Sequence, residues 1–462
     1  CGAIGWLVWD GKRWNRRAGD EAVMLAEHET ARLIQAEAAS IRGTNHDRLI
    51  KVTNDGPVYL SDKVAGWGRA SEGANHLSAI GRRAAPMLAV EAAELDKDPF
   101  LINVDNGTLR IDREVDGYIS FRPHDPADLI TKLAPVAYDP EATAPGFDRF
   151  LADVQPSPSV RRFLGQWHGV SATGAYVQQL VFNWGKGRNG KSTLIDALAF
   201  VLGDYGETVP IETFLSEGRG RTAGQATPDL AILPGVRYLR TSEPDRGAKL
   251  AESLIKLVTG GEPIQARHLN RDYFRFYPQF KLTMSGNYRP EIRGNDEGIW
   301  RRMLLVPWTV TVPKESADEA LPEKLRAEAP GILNWLLDGL RDWLDGGLKP
   351  PHDVTEATSA YREESDPLGR FLKACVAPSP GGRVQSSEVH RLFLAWAKVN
   401  GEREWSSTGF GRAMREAGYR SLNSHVIWWL DILLTRSVTD FGDEAGRSPD
   451  PPSPAAGGAD DV

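Results

Sequence analysis

Residues 185–193 read Gly185-Lys186-Gly187-Arg188-Asn189-Gly190-Lys191-Ser192-Thr193, and the first eight complete the G-x-x-x-x-G-K-[ST] pattern of a phosphate-binding loop. Each part has a mechanical task. The three glycines let the backbone turn tightly, so that successive N–H groups converge on phosphate oxygens. Lys191 supplies a cation to the outer phosphates, and the Ser192 hydroxyl can ligate Mg²⁺. The motif is only as good as its surroundings, which must be a buried strand before it and a helix after it. Gln179–Trp184 is an apolar run of strand length, and Ser192–Leu202 is an apolar run that stops at Gly203. A strand over 179–184 and a helix over 192–202 therefore place the loop at a positive helix N-terminus. The chain is expected to bind ATP with Mg²⁺ through residues 185–193.

A loop of this kind hydrolyses nucleotide only with an acid nearby. Val236–Glu243 is β-prone, starts after Gly235, and ends with Glu243 before Pro244. Glu243 can polarise water or hold Mg²⁺. Arg237 and Arg240 interrupt the run, which makes it less apolar than an internal parallel strand should be. Lys281–Asn287 is a third strand, and its terminal amide can reach a γ-phosphate or the attacking water. Gly298–Pro307 places Arg301 and Arg302 before a buried strand. A planar guanidinium reaching a neighbouring subunit's phosphate would be an arginine finger, and either residue qualifies.

Between these strands, Leu254–Gly260 reads as a helix and Ile264–Tyr277 as a hairpin about Asn270-Arg271-Asp272. Arg267, His268, Arg271 and Arg275 interleave with Tyr273, Phe274 and Phe276. Cations for phosphates and rings for bases suit single-stranded nucleic acid. An ordinary edge hairpin with solvated arginines is the competing reading.

The rest of the chain bounds these expectations. Its 462 residues hold about three domains at roughly 150 residues each. The 41% hydrophobic and 25% charged content is that of a soluble globular protein. No apolar run reaches about 18 residues, so no membrane span or membrane partner is expected. Two cysteines, Cys1 and Cys375, are too few for a zinc cluster or a disulfide framework, which implies a reducing cytoplasmic setting. A first residue other than Met suggests a missing upstream part. The net charge of −7 argues against a uniformly basic nucleic-acid coat but not against a narrow basic channel.

Trp6–Trp9, Asp10-Gly11 and Lys12–Trp14 signal a hairpin, followed by a helix to about Ala39. Asp98–Asn103 and Asn106–Ile111 read as strand–turn–strand, and Phe147–His168 as a helix. Ile332, Trp335, Leu336, Gly339, Leu340 and Trp343 recur at helical spacing and form a core face. Val389–Trp396 and Gly409–Glu416 read as amphipathic helices, the second capped from Ser406-Ser407-Thr408, and Val426–Leu430 as a strand. From about Gly442 the composition is that of a disordered tail.

The order of these motifs resembles the superfamily 3 helicases of the phage/plasmid primase type, related to the poxvirus primase-helicase. The matching pieces are Gly185–Ser192, the Glu243 strand, Thr259-Gly260-Gly261 with Ala266–Leu269, Lys281–Asn287, and Arg301-Arg302. Residues 1–155 resemble the mainly helical domain preceding such cores, and 366–430 their winged-helix-like tail. The resemblance implies an α/β fold. A P-loop, AAA+-like core with a parallel sheet would occupy 156–310, a helical segment 311–365, a winged-helix-like domain 366–437 and a tail 438–462. It implies an ATP-driven DNA helicase serving phage, plasmid or mobile-element replication in a bacterial cytoplasm. Its partners would be single-stranded or forked DNA, further copies in a ring, usually a hexamer, and a primase domain upstream or in trans. Lys191 and Ser192 would hold phosphates and metal, Glu243 would be the acid, Asn287 the sensor, and Arg301 or Arg302 the finger. Arg267, His268 and Arg271 would enter the pore. One acid ends the Glu243 strand, with Ser242 before it, where two would hold Mg²⁺ more firmly. No primase active site is legible. A regulatory DNA-binding ATPase whose tail supplies the binding, and a P-loop small-molecule kinase, are the alternatives.

Overall fold

The computed structural model describes residues 1, 4–112, 114, 117–216, 227–267, 273–292 and 297–441. They fall into two compact units, one ending at Ala357 and the other beginning at Thr358.

The first unit opens on the expected hairpin, β1 (Val8–Trp9) and β2 (Trp14–Asn15), turned at Gly11 with φ +95°. Helix α1 (Gly19–Ile41) follows. Hairpin β3 (Leu49–Thr53) and β4 (Gly56–Tyr59) leads into α2 (Leu60–Ser71) and α3 (Ala74–Ala84), which pack on α1. A three-stranded sheet of β5 (Leu101–Val104), β6 (Gly107–Ile111) and β7 (Ile119–Arg122) confirms the strand–turn–strand reading and adds a strand.

The single helix expected over 147–168 is two: α4 (Pro145–Val154) and α5 (Pro158–Ser171). Pro156 and Pro158 lack amide donors and disfavour helical geometry before them. The Arg161 guanidinium donates to the carbonyls of Gln155 and Pro156, at 2.6 and 2.8 Å, and holds the break.

The nucleotide-loop strand is β8 (Leu180–Trp184) and its helix α6 (Lys191–Leu202), as expected. Then come β9 (Gly206–Val209), α7 (Pro228–Ala231), β10 (Tyr238–Thr241), α8 (Glu252–Val258), β11 (Ile264–Ala266), β12 (Phe274–Phe276), β13 (Lys281–Gly286), α9 (Glu297–Trp300) and β14 (Met303–Pro307). Five of these strands form one parallel sheet in the order β14-β8-β13-β10-β9. Strand β10 is thus internal, although two arginines mark its sequence. Arg237, just before it, is 2% exposed. It donates to the carbonyls of Leu101 and Ala172, at 2.7 and 3.1 Å, and lies over the Tyr205 ring. Arg240 pairs with Asp196 of α6 at 2.5 Å. Burying Arg237 is tolerable because its guanidinium has polar partners.

Helices α10 (Leu321–Ala327) and α11 (Ala329–Gly346) complete the core, with Ile332, Leu336 and Leu340 of the expected stripe fully buried. Helix α11 crosses α5 where glycines face each other. A Cβ on Gly339 would lie 2.0 Å from the Gly165 carbonyl oxygen, and one on Gly169 would lie 2.4 Å from the Leu340 nitrogen. Gly339→Ala should therefore force the helices apart and lower stability by about 1–3 kcal/mol, read as a drop in the denaturant midpoint. An unchanged midpoint would mean that the helices do not cross so closely. The same core encloses His168, which burial pushes down to about 3, so that its ring stays neutral.

Helix α12 (His352–Glu364) spans the division between the units. The second unit runs α13 (Pro367–Cys375), β15 (Val376–Gln385), α14 (Ser386–Val399), α15 (Ser407–Glu416), β16 (Ser421–Asn423) and β17 (Ile427–Leu434). Its antiparallel sheet has the order β15-β17-β16, and its core joins Phe371, Phe393, Trp396, Phe410 and Trp429. The Ser406 hydroxyl accepts from the Gly409 amide at 3.2 Å, the cap read from sequence. Of the tail expected from 438, residues 438–441 form a short 3₁₀ turn, and residues from 442 lie outside the described residues.

Candidate nucleotide and nucleic-acid site

Ligands of open parallel sheets bind beyond the carboxyl ends of the strands, and that is where the motif residues gather. Gly185 leaves β8 so close to the 307–312 segment that a Cβ on it would lie 2.1 Å from the Trp308 carbonyl oxygen. Gly190 has φ +79°, and a Cβ there would meet Val154 at 2.7 Å. Gly187 has neither constraint, so two of the three glycines carry the geometry. The loop is clasped from outside. The Val312 amide donates to the Arg188 carbonyl at 2.7 Å, and the Trp308 indole donates to Asn183 at 3.0 Å. Among the described residues, the amides of 186–193 meet no acceptor. A row of unclaimed amides before a helix is an anion cradle.

Lys191 is 3% exposed. Its ammonium donates to the Gly185 carbonyl at 2.6 Å and to Asn189 Oδ1 at 3.1 Å, across the mouth of the cradle. Burial lowers its pKa, and the charge of Glu243 opposes that shift. Glu243 follows β10 and is exposed. Asn287 follows β13, and its amide nitrogen donates to Glu243 Oε2 at 3.0 Å. The acid and the amide read from separate stretches of sequence thus meet. The Asn287 carbonyl oxygen is buried with no partner among the described residues. Ser242, where a second acid would stand, accepts from the Ile211 amide at 3.0 Å and pins the neighbouring turn. Arg289, which the motif reading missed, lies over the Trp184 ring at 4.4 Å beside the loop. Its only signal is its position two residues after Asn287.

These residues fit a nucleotide with Mg²⁺. The cradle offers amides, Lys191 a cation, and the exposed Ser192 hydroxyl with the Glu243 carboxylate offers oxygen donors. One carboxylate is enough for an ion that keeps most of its waters and takes phosphate oxygens.

The two arginines separate. Arg302 is 6% exposed, and its guanidinium donates to Thr259 Oγ1 at 3.0 Å and to the Gly298 carbonyl at 2.6 Å. These two bonds tie the end of α8 to α9. Arg301 is exposed. Tyr176 donates to the Thr259 and Gly260 carbonyls and closes the same corner, from which the β11–β12 hairpin leaves.

The hairpin pairs Ile264 with Phe276 and Ala266 with Phe274. Its alternation turns Tyr273, Arg275 and Tyr277 outward, while Phe274 and Phe276 are half-buried. Arg267 lies over the Tyr273 ring at 4.8 Å. His268 and Arg271, expected at the hairpin tip, lie outside the described residues. Tyr277 was missed, and the period-two pattern was the signal for it.

Residues 1–156 match the family described as D5 N terminal like. Over 330 residues, 66% of this chain, the sequence is 29% identical to "Putative helicase L207/L206" of Acanthamoeba polyphaga mimivirus, of which it covers 34%. It is 24% identical over 328 residues, again 66% of the chain, to "Putative primase C962R" of African swine fever virus (strain Badajoz 1971 Vero-adapted), covering 34% of that protein. The chain therefore spans about a third of the length of these relatives. Among solved structures it is similar to the apo C-terminal region (305-718) of NrS-1, at 9% identity and a TM-score of 0.42, over 71% of this chain and 94% of that one.

Proposed function

The chain is related to the primase-helicases of the D5 type, and from that relationship we propose that it is an ATP-hydrolysing DNA helicase of genome replication. It works as a ring, hexameric by resemblance, on single-stranded or forked DNA. The observation that carries this reading is the convergence of Lys191, Glu243 and Asn287 at the carboxyl ends of β8, β10 and β13, beside unclaimed loop amides.

In this reading the amides of 186–193 and the Lys191 ammonium bind the phosphates; Ser192, with Glu243 through a water, would hold Mg²⁺, which would supply electrophilic stabilisation of phosphate charge. Glu243 orients the attacking water and accepts its proton. Asn287 now spends its amide on Glu243, so γ-phosphate recognition by Asn287 requires that hydrogen bond to open. Arg301 reaches the phosphate held by the adjacent subunit. Tyr273, Arg275 and Tyr277, with Arg267, His268 and Arg271 near the tip, contact single-stranded DNA. The second unit, with its order α-β-α-α-β-β, is a winged-helix-like domain. Priming is not proposed for this segment. Among the described residues, no group of three or more His, Cys, Asp or Glu is placed to hold a metal ion, and none of the helices is long and apolar enough to cross a membrane.

ATP turnover measured with and without single-stranded DNA tests the proposal. Stimulation by the strand, with displacement of a paired strand, supports it. Stimulation without displacement would instead support a DNA-dependent ATPase that does not unwind, and an unstimulated ATPase would end the DNA reading of the hairpin.

A further inference from the structure

The β11–β12 hairpin joins the core at two feet, and one short segment, residues 173–176, holds both. The exit foot is Lys281, the first residue of β13, which is fully buried. Its ammonium donates to the carbonyls of Thr173 and Ala175, and to that of Gln279 at 2.9 Å. An ammonium has three donors, and all three are spent on fixing the chain there. The entry foot is Thr259, at the end of α8. The Tyr176 hydroxyl donates to its carbonyl at 3.3 Å and to that of Gly260 at 3.1 Å, groups that the end of a helix leaves without partners. Gly261 follows with φ +80°, and a Cβ there would lie 2.8 Å from Tyr176 Cε2, so only glycine passes the ring.

The entry foot has a second tether. The buried Thr259 hydroxyl donates to the Ile255 carbonyl at 2.6 Å and accepts from Arg302 Nε at 3.0 Å. The Arg302 carbonyl accepts from the Leu180 amide at 2.7 Å, at the start of β8. Arg301 directly precedes Arg302 and is exposed. The side chain assigned to a neighbour's phosphate and the foot of the hairpin assigned to DNA therefore lie one residue and one hydrogen bond apart.

We propose that Thr259 is a positioning residue that couples the two, so that nucleotide at the subunit interface and a single strand on the hairpin strengthen each other's binding. This coupling rests on the roles proposed above for Arg301 and the hairpin. A displacement of α9 that carries Arg301 onto a phosphate moves the Arg302 guanidinium with it. The Thr259 hydroxyl follows, because an unmade hydrogen bond to a buried guanidinium is costly. Tyr176 holds the carbonyls on the far side of the same residue, so the shift passes into the hairpin rather than into a slack loop.

The test compares the affinity of the full chain for a thymidine oligomer with and without a non-hydrolysable ATP analogue. In the parent the analogue should raise that affinity about fivefold or more. In the chain carrying Tyr176→Phe and Thr259→Val the ratio should fall to unity. Affinity without nucleotide should match the parent's, and so should basal ATP turnover, which also reports that the chain is folded. Tyr176→Phe alone removes one hydroxyl from an exposed ring and should lower the ratio, whereas Thr259→Ser keeps its hydroxyl and should preserve it. A parent ratio of unity, a ratio unchanged in the Tyr176→Phe chains, or one lost equally in Thr259→Ser would overturn the coupling. So would a loss of ratio accompanied by loss of affinity without nucleotide, which would mean that the corner only shapes the hairpin. A parent that binds no oligomer would end the hairpin reading and the coupling with it, whereas a parent that binds, with variants that keep its ratio, would end the coupling alone.

Discussion

Lys191→Ala is expected to lower ATP hydrolysis by about 10²–10³-fold or more, with the thermal unfolding midpoint within a few degrees of the parent. Among the described residues the Lys191 ammonium is the one side-chain cation buried in the loop, and it bridges the Gly185 carbonyl and Asn189 Oδ1 across the cradle. Removing it leaves the amides of 186–193 without a cation where charge develops. The fold should survive because a buried lysine with a lowered pKa adds little net stability, and α6 is held by Leu194, Leu198 and Val201, all fully buried. Turnover on a steady-state assay and circular dichroism on the same sample check both halves. Normal turnover would retire the phosphate-loop assignment.

Arg301→Ala should lower turnover by about 10³-fold or more if it is the finger, again without loss of stability, because its side chain is exposed. Arg302→Ala should do something different. It strips Thr259 Oγ1 and the Gly298 carbonyl of a buried donor, at a cost of about 1–3 kcal/mol, so its first symptom is a lowered unfolding midpoint. Action in trans has its own signature. Subunits carrying Arg301→Ala, mixed with subunits carrying Lys191→Ala, should regain part of the activity, because some interfaces then combine an intact loop with an intact Arg301. A mixture as inactive as its components would place the catalytic arginine elsewhere.

Much of this site was legible because its chemistry is local. The strand, loop and helix of 180–202 each announce themselves by an apolar run, glycines and a stop. Glu243 and Asn287 were readable as strand ends, but their 3.0 Å contact was not. It depends on β13 lying between β8 and β10, an order fixed by long-range pairing. The choice between Arg301 and Arg302 was equally closed to sequence. Adjacent residues leaving a short helix point in different directions, and only the position of Thr259 decides which is buried. Arg237 misled for a related reason. Its charge argued against an internal strand, whereas three-dimensional packing supplies it with the carbonyls of Leu101 and Ala172. Strand β15, with Pro378, Pro380, Gly381 and Gly382, carries breaker residues throughout, and it pairs with β17 across a register shift between Pro378 and Arg383.

In the proposed function, nucleotide chemistry at Lys191, Glu243 and Asn287 moves the chain along DNA. Strand displacement from a forked duplex tests it most directly, with ATP, with a non-hydrolysable analogue, and with the Lys191→Ala chain as control. Displacement is expected with ATP alone, by the parent chain alone. Displacement that persists with the analogue or in the Lys191→Ala chain, or none with ATP from a chain that hydrolyses it on single strands, would show that nucleotide hydrolysis at this site does not drive unwinding.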